Sequence, residues 1–156
     1  MIFDSAMLAA IAAEAAPLVG DRLRDLWLCL PDETGENRGL YLGFGGGALL
    51  ADTHPRRARV HLARQAPAAA TEPTPFIEAA RKALRGARLS AIAQPGFDRA
   101  LHLRFTGRDA IGEPRRFTLI VELMDRRSNV ILVDSEGVIV DALKRLPPFL
   151  NRARTV

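Results

Sequence analysis

The stretch QPGFDRALHLRF (94–105) sets an acid and a base side by side, Asp98 and Arg99, where a Pro95-Gly96 turn opens into an alternating strand pattern. A carboxylate that accepts and a guanidinium that donates in a planar fork together suit a ligand carrying hydroxyls and phosphate. Neighbouring residues on a strand point to opposite sides, so the two cannot form a simple side-by-side ion pair there. The alternation places Arg99 with Leu101, Leu103 and Phe105 on the face those apolar residues mark as buried. Ala100, His102 and Arg104 take the other face. Two readings follow: Arg99 curls over the sheet edge to a distant carboxylate, or the doublet is displayed at a rim to hold a ligand.

Two further clusters carry charge. THPRRARVHLAR sets Arg57, Arg59 and His61 at one parity, able together to meet a phosphate backbone or to form a solvated strand face. ELMDRRSNVILVD joins two strands through Asp125, Arg126, Arg127, Ser128 and Asn129. Asp, Ser and Asn are turn residues by default, and the Asn129 amide can tie loop backbone down as readily as it can meet a nucleic acid. Gly45-Gly46-Gly47 lacks the Lys-Ser/Thr of a P-loop and reads as a hairpin turn. No G-x-S-x-G elbow or local Cys-His arrangement offers hydrolytic chemistry, and Glu113 and Glu122 read as strand-surface carboxylates. Three scattered histidines and one cysteine do not make a zinc site of the usual spacing, so neither a metal nor a cofactor is expected.

The elements that must position these residues follow from periodicity. Residues 4–19 predict a helix capped by Asp4 or Ser5 and ended with the help of Pro17 and Gly20. RLRDLWLCL, GLYLGF, ALLADT and ARVHLAR predict strands, the middle two a hairpin around the triple glycine. After the Pro/Ala/Thr-rich QAPAAATEPTP, Thr74 caps a second helix with Pro75 at its first position, and Gly86 ends it. ARLSAIAQ, RALHLRF, RRFTLIVEL and a final hairpin through Ser135-Glu136-Gly137 complete about eight or nine strands and two helices. The expected class is α+β: a two-layer antiparallel β-sandwich or flattened barrel with the helices at its edge.

The 156 residues amount to one domain, with hydrophobic and charged fractions ordinary for a soluble protein. The apolar N-terminal run lacks a basic lead-in and is interrupted by Glu14, so it reads as a mature helix, and no run is long enough for a membrane span. A cytoplasmic protein is expected, the lone Cys29 being compatible with a reducing compartment. Lys and Arg outnumber Asp and Glu by 22 to 18, and only Lys82 and Lys144 are lysines. That balance favours anionic partners, with arginine suited to phosphate.

Taken in order, FDSAMLAAIAAEAAPLVGDRLRDLW, THPRRARVHLAR, TPFIEAARKALRGARL, QPGFDR, IVELMDRRSNVILVDSEGVIVDALKR and PPFLNRAR resemble the NFACT-N domain of the RqcH/NEMF ribosome-associated quality-control family. Bacterial members are often labelled fibronectin-binding proteins of the FbpA type. The resemblance covers essentially the whole chain and implies one domain, 1–156, forming the N-terminal part of a longer protein. It implies a fold similar to the N-terminal domain of formamidopyrimidine-DNA glycosylases. It also implies binding to a large ribosomal subunit obstructed by peptidyl-tRNA, recruitment of tRNA (alanyl-tRNA in bacteria), and mRNA-independent alanine tailing without catalysis by this domain. The residues tied to tail elongation fall by motif match on Asp4, Asp98 and Arg99. The family loop that commonly reads Gly-Lys-His before Ser-Asn is Asp125-Arg126-Arg127 here, which alters its backbone freedom and charge. The chain opens Met1-Ile2-Phe3-Asp4, without the proline amine and adjoining glutamate of the glycosylases, so base excision by that route is excluded. A fibronectin-binding adhesin and a non-catalytic DNA-binding domain are the alternative functions.

Overall fold

Two runs of strands, each hairpin-linked to the next, become two antiparallel sheets. The computed structural model describes residues 4–31, 39–96 and 99–144, with the Asp125 side chain excepted. The first sheet is β1 (Leu23–Leu28), β2 (Gly39–Phe44), β3 (Gly47–Asp52) and β4 (Arg59–Leu62), in that order. The second is β5 (Arg88–Ala93), β6 (Ala100–Arg108), β7 (Pro114–Glu122), β8 (Asn129–Asp134) and β9 (Ile139–Ala142), also in chain order. Helix α1 (Ser5–Ala15) precedes the first sheet, and α2 (Pro75–Leu84) connects the two.

The first helix is shorter than the sequence predicts. Asp4 caps it, its Oδ1 accepting from the Met7 amide at 2.9 Å, and Ala16–Leu18 around Pro17 tighten into a 3₁₀ turn. For α2 the start and stop signals hold: Thr74 Oγ1 accepts from Ile77 N at 3.2 Å, and Gly86 follows at φ +81°. The face α2 buries is Phe76, Ile77, Ala80 and Leu84.

At β1 and β5 simple alternation fails for one reason. Leu23 and Leu26 of β1 are both buried although their parity differs, because the register shifts by a bulge between Leu23 and Asp25. A second shift between Leu89 and Ala91 likewise lets Leu89 and Ile92 of β5 both turn toward the core. On β6 the alternation holds: Leu101, Leu103 and Phe105 are buried.

One hydrophobic cluster unites both sheets and both helices, and Phe44 of the first sheet stacks on Phe105 of the second at 6.3 Å between ring centroids. The sheets are also joined along one edge. Gly20 N donates to Leu89 O, Leu89 N to Asp21 O, Leu23 N to Ala87 O and Gly86 N to Leu23 O, all between 2.8 and 2.9 Å. This seam joins the two antiparallel sheets of the α+β domain along that edge. On the outer face of the second sheet a smaller cluster forms from Ile120, Ile131 and Val133, with Ala100, Ile139 and Ala142 packed against it. His102 stands on that face too, its pKa lowered by burial and then by Arg104.

The Cys29 thiol is half-buried, and burial, reinforced by the Asp52 carboxylate, pushes its pKa from 9.0 up to about 11. Since the thiolate is the nucleophile, the folded chain below pH 9 holds about 100-fold less of it than an unfolded chain. Alkylation by iodoacetamide at pH 8 is expected to be slower by about that factor in buffer than in denaturant, rising as pH approaches 11. Equal rates in the two conditions would place the thiol in water.

Candidate nucleic-acid interface

At one end of the molecule five segments far apart in sequence are tied together by hydrogen bonds. The first is the start of α1, where Ser5 O accepts from Gln94 Nε2 at 3.0 Å. This holds Asp4, exposed at the cap, beside the turn that follows β5. From that turn the chain reaches Arg99, whose carbonyl accepts from Leu123 N at 2.9 Å. The next residues form the 3₁₀ turn Asp125–Arg127, pinned by Arg127 N to Met124 O at 2.9 Å and by Met124 N to the buried Ser128 Oγ at 2.9 Å.

Asn129 then locks this end to the close of β9. Its Nδ2 donates to Lys144 O and its Oδ1 accepts from Lys144 N, both at 2.8 Å, while Oδ1 also accepts from Val130 N at 2.9 Å. Lys144 in turn donates from Nζ to Thr53 O at 2.8 Å, fastening the β3–β4 connection to the second sheet.

The predicted residues therefore divide. Asp4 and Arg99 flank the turn that follows β5, and Arg126 and Arg127 sit on the turn after the Leu123 that bonds Arg99; Asp98 lies outside the described residues. Arg99 is half-buried with its Nε shielded from solvent, so its guanidinium is held rather than waving, whereas Arg126 and Arg127 are exposed. Asn129 is 2% exposed with its amide turned inward: of its two readings, the structure supports the tie on loop backbone.

Arg57, Arg59 and His61 do not form one strand face. Arg57 belongs to the turn before β4 and pairs with Asp52 at 3.4 Å; the two are 56% and 22% exposed, so the pair is weak. Arg59 opposes Asp52 in the ladder, one residue from Thr53, and so borders the rim. His61 is half-buried, its Nδ1 3.0 Å from Leu62 O.

Chemically, this end offers half-buried and exposed guanidiniums for phosphate, and at Asp4 a carboxylate with acceptor capacity for a hydroxyl. Among the described residues, no cluster of three or more His, Cys, Asp or Glu could hold a metal ion. Nor is any described helix long and apolar enough to cross a membrane.

A two-sheet antiparallel α+β domain with a polar, arginine-bearing rim is the class these features define. The chain belongs to the family described as NFACT N-terminal and middle domains, whose model matches residues 5–156. It is 41% identical over 109 residues to the Rqc2 homolog RqcH of Bacillus subtilis, an overlap covering 69% of this chain and 19% of that protein. Among solved structures it is similar to the N-terminal part of the fibronectin/fibrinogen-binding protein of Streptococcus suis, with TM-score 0.82, 32% identity, and coverage of 99% of this chain and 58% of that one. It is also similar to the N-terminal domain of the fibronectin-binding protein PavA of Streptococcus pneumoniae, with TM-score 0.80, 30% identity, and coverage of 93% and 55%. The overlap thus spans about a fifth of the curated relative and somewhat over half of the solved chains.

Proposed function

We propose that this chain is the non-catalytic tRNA- and ribosome-binding module of an RqcH-like quality-control factor acting in the cytoplasm. In this reading the parent protein is longer than 156 residues. It binds large ribosomal subunits obstructed by peptidyl-tRNA, recruits tRNA, alanyl-tRNA by preference, and supports mRNA-independent alanine tailing of the stalled chain. The observation that carries the reading is the hydrogen bond from Gln94 to Ser5, which holds the start of α1, next to Asp4, at the turn from which the chain runs on to Arg99. Family membership and the likeness to an Rqc2 homolog RqcH supply the context. At such a rim Arg99 grips a phosphate or stacks on a base, and a carboxylate accepts from a ribose 2′-hydroxyl, a group that DNA lacks.

The test compares the full-length protein with its Asp98→Ala/Arg99→Ala variant, first for equal thermal stability, then for ribosome association, tRNA recovery and alanine addition. The expected result is an unchanged melting temperature with tRNA recovery and tailing reduced about tenfold or more, the scale of losing one or two charge-assisted hydrogen bonds. Survival of all three activities would make Arg99 a structural residue and sink the assignment. The names of the two solved relatives favour a second reading, fibronectin binding by this chain. Immobilised fibronectin in the same assay separates the two: retention that the double variant leaves intact would favour the adhesin.

A further inference from the structure

The other end of β5 holds a different concentration of charge. Where Gly20–Arg24 runs beside Arg85–Arg88 and under the β2–β3 turn, an open cleft of about 460 Å³ forms. Four arginines line it, Arg22, Arg24, Arg85 and Arg88, against the one carboxylate of Asp21. Arg88 begins β5 and Gln94 follows its end, so cleft and rim are about 20 Å apart along the strand.

The arginines are not a loose solvated fringe. Arg22 and Arg88 face each other directly across an isolated antiparallel bridge. Like charges so placed repel. Each is nonetheless fixed there by a bond to the opposite segment: Arg22 Nη1 donates to Gly86 O at 3.1 Å, and Arg88 Nη1 to Gly20 O at 2.7 Å. Both accepting residues are glycines at positive φ, +81° and +100°, a conformation other residues rarely adopt. Each tether occupies one of five guanidinium donors.

Arg24 lies flat over Gly45, where an added Cβ would stand 3.2 Å from its Nη2. Asp21, whose Oδ2 accepts from Gly46 N at 2.9 Å, offsets only one of the four guanidinium charges. Among the described residues the ion-pair partner of Arg85 is Asp25, at 3.9 Å and with both side chains mostly exposed. The result is a concave, glycine-walled site with surplus positive charge and oriented planar donors, geometry that matches phosphate oxygens in bidentate fashion.

We infer that the seam cleft is a phosphate-binding site, separate from the Asp4–Arg99 rim. The chemistry is shared by a backbone phosphate of RNA and by a small free phosphate, and the test distinguishes these sources. It stands apart from the quality-control reading, because either site can fail alone.

The experiment titrates the full-length protein with inorganic pyrophosphate and, separately, with a single-stranded RNA decamer, at low and at physiological salt. The variant Arg24→Gln/Arg85→Gln removes two charges without touching the Arg22 and Arg88 tethers, so its melting temperature should stay at the wild-type value. Affinity is expected to fall about tenfold or more in this variant, while Asp98→Ala/Arg99→Ala keeps wild-type affinity for pyrophosphate. Pyrophosphate binding lost in the cleft variant supports a free-phosphate site. RNA binding alone, weakened in the cleft variant with a shallower salt dependence, supports a backbone-phosphate site. Failure of both ligands to bind, equal binding by the cleft variant, or loss of pyrophosphate binding in the rim variant would each overturn the inference.

Discussion

Phe105→Ala is expected to destabilise the fold by about 3–5 kcal/mol, the usual cost of truncating a buried aromatic. The side chain is 1% exposed and lies in the ladder between Leu89 and Phe117. Its ring also stacks on Phe44, interplanar angle 8°, so it joins the two sheets as well as filling one. Domains of this size retain roughly 5–15 kcal/mol in total, so the variant should lose about a fifth or more of its stability. Urea unfolding followed by circular dichroism reads this as a lower midpoint at unchanged slope. A loss under about 1 kcal/mol would mean that the layers close over the gap or are not held together at this ring.

Asn129→Ala is expected to cost about 2–4 kcal/mol although it removes only one small polar side chain, because buried partners are left unsatisfied. Three hydrogen bonds go at once, two of them to the Lys144 backbone. Lys144 also anchors Thr53 through its Nζ, so the change loosens the bond between the β3–β4 connection and the second sheet. Asn129→Asp keeps the shape but cannot donate to Lys144 O and brings a charge into a buried site, so it should be no better tolerated. The exposed neighbours give the contrast: Arg126→Gln and Arg127→Gln should leave the unfolding midpoint alone. If instead Asn129→Ala kept wild-type stability and lost RNA affinity, the amide would be a contact residue.

Much of the architecture is legible in one dimension. Pro75 after Thr74, the triple glycine between apolar runs and the Leu101-Leu103-Phe105 alternation each have a local cause, and each recurs in the structure. The register shifts in β1, β5 and β8 do not, because such an irregularity is defined only by its partner strand. The candidate site is legible as residue types but not as a place. The start of α1 is held at the turn after β5 because Gln94 bonds Ser5 across 89 positions, and no periodicity encodes such a bond. Arg57 shares a parity with Arg59 and His61, yet the ladder begins only at Arg59, so parity has no meaning at Arg57. The seam arginines are the clearest omission. Arg22 and Arg24 in one segment and Arg85 and Arg88 in another look like ordinary surface charge until the sheets are joined.

That join also sets the entropy of assembly. Every ladder in both sheets pairs strands adjacent in the chain, most through short connections, whereas the seam closes loops of 64 to 68 residues through Arg22–Gly86 and Arg88–Gly20. Closing such a loop costs about 2–3 kcal/mol more than closing a hairpin of a few residues. Each meander can thus gather its own local contacts cheaply, while the seam becomes favourable only once hydrophobic faces on both sides are ready to meet. The chain is in this sense two fast, local folding problems followed by one slow, distant closure.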